Sequence, residues 1–170
     1  MAYTYSLISS VTVGSGGAAN ITFTSIPSTY TDLCLKISLR SLYSSTGDNT
    51  NIGFNGSTAS FSLKLLYGTG ASAASYGASD NSNVTVIAGA NATSNTFGNG
   101  EIYISNYAGS NYKSISADSV GENNGVAAQQ YFYAGLWSNT SAITSIALTS
   151  GNSQDFVQYS TAYLYGISNA

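Results

Sequence analysis

Residues 23–41 read FTSIPSTYTDLCLKISLRS and hold the chain's single proline, its single cysteine and two of its four basic residues. From Asp32 onward the stretch alternates. Leu33, Leu35, Ile37 and Leu39 share one parity, and Cys34, Lys36, Ser38 and Arg40 share the other. Successive side chains of a strand point to opposite faces, so this is the pattern of an amphipathic β-strand. Upstream, SIPSTYTD reads as a turn in which Pro27 presets φ and Asp32 or Thr31 ties down backbone amides before the strand begins. The concentration of special residues is therefore one strand with a wet face carrying Lys36 and Arg40, and not an active site.

The same period recurs along the chain. Tyr3, Tyr5, Leu7, Val11 and Val13 share a parity, followed by Ile21 and Phe23, Ile52 and Phe54, then Phe61, Leu63, Leu65 and Tyr67. Val84 with Val86 and Ile102 with Ile104 continue it, as do KSISADSV, QQYFYAGLWS, AITSIALTS and DFVQYSTAYLYGI. Turn clusters separate these runs: SSTGDNTN, GASDNSN, NYAGSN, GENNG, SNTS and SGNSQ. No window keeps a 3.6-residue apolar period. The expectation is one all-β domain over residues 1–170, an antiparallel β-sandwich of roughly ten strands. Jelly-roll topology is the preferred order and an immunoglobulin-like one the alternative. Residues 68–100 read as surface loops in which only VTVI makes a strand.

Hydrophobic residues are 43% of the 170, enough for a real core, while charged residues are only 6%, against about 25% in an average soluble protein. The surface must then be built of hydroxyls and amides, which suits a molecule held in an assembly. The N-terminal stretch lacks the charged and apolar regions of a signal peptide, and no run is apolar enough for a membrane helix.

No histidine is present, which removes Ser-His-Asp and Cys-His catalysis and His-ligated zinc. Cys34 has no activating base in sight and reads as a half-buried strand residue. The seven carboxylates sit mostly at strand ends and in turn clusters, where Asp caps amides, so no catalytic pair is assigned. DNTNIG (48–53) fails the calcium-loop pattern at Thr50 and Ile52. GSGGAA and GTGASA open no helix, so they cradle no phosphate. Four basic residues cannot neutralise a nucleic-acid backbone. Five N-x-Ser/Thr sequons occur, the number that a chain so rich in Asn, Ser and Thr produces by chance. Neither enzyme activity nor a cofactor, metal, nucleic acid or membrane is expected.

What remains is aromatic: fourteen Tyr, six Phe and one Trp. In QQYFYAGLWSN, Tyr131, Tyr133 and Trp137 share one parity and Phe132, Ala134 and Leu136 the other. Both faces are apolar, which predicts a strand covered on one side by the core and on the other by a loop or a second subunit. Lys36, Arg40, Tyr131, Tyr133 and Trp137 are accordingly the candidate partner-interface residues.

Several segments together, ITFTSIPSTYTDLCLKISLRS, IGFNGS, EIYISNYAGSNYKS, SVGENN, AGLWSNTSAITSIALTSG and FVQYSTAYLYGIS, resemble small virion proteins of tailed bacteriophages, especially phages of cyanobacteria and other aquatic bacteria. The resemblance implies a β-rich particle component without enzymatic activity. The chain has neither the coiled coil nor the repeat shaft of a fibre. The expected role is thus a capsid decoration or cement protein at the virion surface, a homotrimer bound to the major capsid protein or another virion protein. The alternative is a tail-associated receptor- or glycan-binding module that stacks host-surface sugars on Tyr and Trp137.

Overall fold

The structure is a computed structural model and describes residues 4–122 and 128–168. Its twelve strands are β1 (Tyr5–Thr12), β2 (Asn20–Phe23), β3 (Asp32–Leu39), β4 (Gly47–Phe54), β5 (Phe61–Gly68), β6 (Ala73–Ser79), β7 (Asn83–Ala88), β8 (Gly98–Ile104), β9 (Lys113–Gly121), β10 (Gln129–Trp137), β11 (Ile146–Ser150) and β12 (Thr161–Ile167). They form an eight-stranded sheet, β1-β12-β3-β8-β9-β10-β5-β6, packed on a four-stranded sheet, β2-β11-β4-β7. Every ladder is antiparallel. The all-β antiparallel sandwich read from the alternation is the fold.

Pairing is nested. β1 lies beside β12 and β3 beside β8 in the large sheet, while β2 lies beside β11 and β4 beside β7 in the small one. The pairs β5–β6 and β9–β10 extend the large sheet past β8. Leu33, Leu35, Ile37 and Leu39 of β3 all enter one continuous core, as their parity requires. They share it with Ile21 and Phe23 of β2, Ile52 and Phe54 of β4, and Ile146 and Leu148 of β11. At one end Phe54 and Trp137 meet edge to face at 5.2 Å, and Phe61 tilts against Phe54 at 5.3 Å.

Four sequence expectations change. Residues 68–100 hold all of β6 and β7 and the start of β8. The β6 stretch AASYGAS has no branched residue and only Tyr76 as an aromatic one, and it is held as a strand by its ladder to β5. In SSTGDNTN the turn ends early and Gly47 already opens β4, placing Asp48 inside a sheet. In β1 the register shifts between Leu7 and Ser9, a bulge that flips parity. Val11 packs on the core while Tyr5 and Leu7 face outward; Tyr3 lies outside the described residues. Finally, Asp32 does not tie down its own turn. Its carboxylate accepts the Asn106 N–H at 2.7 Å and the Tyr103 hydroxyl at 2.5 Å, anchoring the β8–β9 connection. The Pro27 turn is held instead by Tyr107, whose hydroxyl donates to the Pro27 carbonyl. Of the turn read into GENNG, residues 123–125 lie outside the described residues.

The small sheet closes onto the large one at β7. The Val86 N–H, turned away from the β4 ladder, donates to Ser119 Oγ of β9 at 2.9 Å, which ties this edge strand to the large sheet. Close approach requires glycine beneath it: a Cβ at Gly98 would lie 2.7 Å from Ile87 Cα. Next to this contact the Thr50 and Thr85 hydroxyls, cross-strand neighbours, are buried without a hydrogen-bond partner among the described residues. Gly98→Ala is expected to destabilise the fold by about 2 kcal/mol through overpacking. Thr85→Val, which removes an unsatisfied buried hydroxyl, is expected to stabilise it by about 1 kcal/mol. Urea denaturation of the two variants measures both.

Candidate functional site

The outer face of the large sheet points away from the small sheet, and its residues follow from the ladders. Opposite one another across β12, β3, β8, β9, β10 and β5 stand Tyr163, Lys36, Glu101, Asp118, Phe132 and Leu66. This row has a polar centre and two apolar wings. Phe132 (51% exposed) and Leu66 (55%) form one wing; Tyr163 (38%), with Tyr5 (48%) and Leu7 (56%) of β1, forms the other. In the centre Lys36 is ion-paired to Glu101. That bond raises the lysine's pKa above its ordinary value, and both side chains remain well exposed.

Lys36 is therefore where the alternation places it, on the wet face of β3. Arg40 is not. β3 ends at Leu39, and Arg40 crosses toward the small sheet, bridging to Ala88. Its guanidinium donates to the carbonyls of Ala90 and Ala92 at 3.0 Å, Thr93 at 2.8 Å and Thr96 at 3.0 Å. An arginine fork committed to four carbonyls organises the β7–β8 connection and has little left to offer a partner.

The aromatic candidates also move. Tyr131, Tyr133 and Trp137 lie on the inner parity of β10, opposite Tyr67, Leu65 and Phe61. Trp137 is 2% exposed and Tyr133 is buried, so neither reaches a partner. Only Tyr131 is half-buried, stacked between Tyr67 at 5.2 Å and Tyr133 at 5.7 Å. Burial raises the Tyr131 and Tyr133 phenol pKa values. The side of β10 left open is the other parity, Phe132 and Ala134. Parity alone could not say which apolar face is the core. The signal was present in Leu65-Leu66 of β5, adjacent apolar residues that give this strand two apolar faces as well.

Lys113 was not singled out in the sequence and proves to be fully buried at the start of β9. Its ammonium donates to the carbonyls of Gly109 and Asn111 at 2.6 Å each and lies 5.9 Å from the Trp137 ring centroid. Burial lowers its pKa from the usual lysine value. Cys34 is likewise fully buried, on the outer parity between Tyr103 and Tyr165 of the neighbouring strands. Desolvation, helped by the nearby Glu101 charge, pushes its thiol from 9.0 up to about 12. A thiol so placed is an inert packing group. Among the described residues no cluster of three or more Cys, Asp or Glu could hold a metal ion.

Arg40→Ala is expected to cost about 2–3 kcal/mol of stability and Lys36→Ala less than about 0.5, because four charge-assisted hydrogen bonds to backbone carbonyls outweigh one exposed ion pair. The Cys34 shift predicts an alkaline loss of stability. Below pH 9 the folded and unfolded thiols both keep their proton. Between pH 9 and about 12 the unfolded thiol loses it while the folded one does not, so stability falls as pH rises. Cys34→Ser should flatten that part of the wild-type profile in denaturant titrations. Comparison of the chain with protein-family models, curated proteins and solved structures finds no match.

Proposed function

We propose that the chain is a non-enzymatic structural protein of a tailed-phage particle. It sits on the head as a decoration or cement protein and docks through the outer face of its eight-stranded sheet. The observation that carries this reading is the placement of five large exposed apolar side chains, Tyr5, Leu7, Leu66, Phe132 and Tyr163, on one face of one sheet. Each of the two wings groups large exposed apolar side chains, which marks an interaction surface. The kind of partner comes from the likeness of the quoted segments to phage virion proteins: the major capsid protein or another virion protein, with the chain as a trimer.

The nested pairing supports a jelly-roll reading. β1-β12-β3-β8 over β2-β11-β4-β7 is the order that two interlocked Greek keys produce. The pairs β5–β6 and β9–β10 are then insertions that widen the docking face, and they supply both Phe132 and Leu66.

Particles prepared without the protein and mixed with purified chain test the reading. Wild type should bind in hundreds of copies per head. Phe132→Asp with Leu66→Asp should bind at least tenfold more weakly, since the two side chains bury about 3 kcal/mol or more between them. Thermal unfolding of that variant should match wild type, because both positions are exposed. Undiminished binding of the folded variant overturns the docking face. Only a few copies per particle, located on the tail, would favour the receptor-binding alternative.

A further inference from the structure

A second region is built like a binding site and takes no part in docking. Where β10 runs past the edge of the small sheet, an open cleft of about 260 Å³ lies between the two sheets. Its floor is Asp48, 3% exposed. Oδ2 of this carboxylate accepts the hydroxyls of Ser41 and Ser150 at 2.6 Å each. Oδ1 accepts the Asn49 N–H at 2.8 Å and Asn152 Nδ2 at 2.7 Å. Those four bonds occupy the acceptor sites of an ionised carboxylate. Asp48 therefore does not bind a ligand itself; it is a positioning residue that holds Asn152.

With Nδ2 of Asn152 fixed on Asp48, its Oδ1 accepts no hydrogen bond among the described residues. On the opposite wall Gln129 Oε1 accepts the Tyr131 hydroxyl at 3.3 Å, and its Nε2 makes no hydrogen bond among the described residues. The Asn49 side-chain amide makes no hydrogen bond among the described residues. Tyr43 and Tyr131 add ring surface to the cleft. Gly47 keeps it open, since a Cβ there would stand 3.1 Å from Gln129 Oε1.

The chemistry narrows the ligand. No basic residue lines the cleft, so a phosphate, a carboxylate or a nucleic acid would meet no counter-charge. Neutral amides that offer both donors and acceptors match pairs of vicinal hydroxyls, and a tyrosine ring matches the C–H face of a sugar. We infer that this cleft binds a neutral saccharide, one pyranose ring deep, with Asn152, Gln129 and Asn49 reading its hydroxyls. The inference does not depend on the docking reading, because its residues lie on the inner side of the large sheet and in the small one.

Saturation-transfer NMR on the full chain tests it, with glucose, galactose, mannose and N-acetylglucosamine as separate probes at about 10 mM, sufficient for a Kd of about 1 mM. At least one sugar should receive saturation. Gln129→Ala and Asn49→Ala, neither of which removes a side chain bonded to Asp48, should each weaken that sugar about tenfold while retaining the wild-type melting temperature. Phe132→Asp on the outer face should leave it unchanged. Absence of transfer to every sugar in the panel overturns the assignment, as does transfer that survives both cleft variants. Loss of transfer in Phe132→Asp with both cleft variants unaffected would place sugar on the outer face and equally overturn it.

Discussion

Four strands lie over eight, and this mismatch in width governs the rest of the molecule. An antiparallel sheet can face water on one side only if its other face is buried. The small sheet meets that requirement over part of the large one, with β7 packed across β8, β9 and β10. Beyond that edge the inner faces of β5, β6 and the start of β10 must be finished by other means. They are finished with tyrosine: Tyr67 and Tyr131 stack on each other, and Tyr76 of β6 stays exposed. Tyrosine tolerates this position because its ring buries apolar area while its hydroxyl remains wet. The close approach at Gly98 and the Ser119 bond to Val86 fix how far the small sheet reaches. They thereby fix where the overhang begins.

In so charge-poor a chain, ionic groups are mostly used as internal fasteners. Asp48 gathers two hydroxyls and two amide donors where β4 meets the connections after β3 and β11. Arg40 gathers the carbonyls of the β7–β8 connection, Lys113 those of the β8–β9 connection, and Asp32 an amide of the same connection. In each case an ion faces dipoles and not a counter-ion. A buried ion is tolerable when hydrogen bonds use its full donor or acceptor capacity. Loops made of Ser, Thr, Asn and Gly have little apolar surface with which to pack, and a single multidentate ion orders several of their backbone groups at once. Lys36 and Glu101 by contrast form a conventional surface pair.

This division explains what the sequence disclosed. Strands with branched residues on one parity, such as β3, were legible because period-2 burial leaves a direct trace. β6 left almost none, being Ala, Ser and Gly apart from Tyr76. Asp48 was hidden for a related reason: GDNT has turn composition, and its strand character comes only from pairing with β7 and β11. Arg40 misled because alternation was extended one residue beyond the end of β3. For β10, parity separated two apolar sets correctly but carried no information on which one the small sheet would cover. That choice is made by tertiary packing around Phe54 and Phe61, residues distant in sequence from Trp137.

The two surfaces are also compatible within one molecule. Docking by the outer face of the large sheet covers residues that point away from the small sheet. The cleft at Asp48 is formed by inner-facing β10 residues together with the small sheet and its connections. A chain seated by Phe132 and Leu66 therefore keeps its cleft on the side turned away from whatever it is seated on. Strand β10 carries one surface on each face, so its position beyond β8 creates both. Alternation along β10 is what separates them: Phe132 belongs to one surface, and Gln129 and Tyr131 to the other.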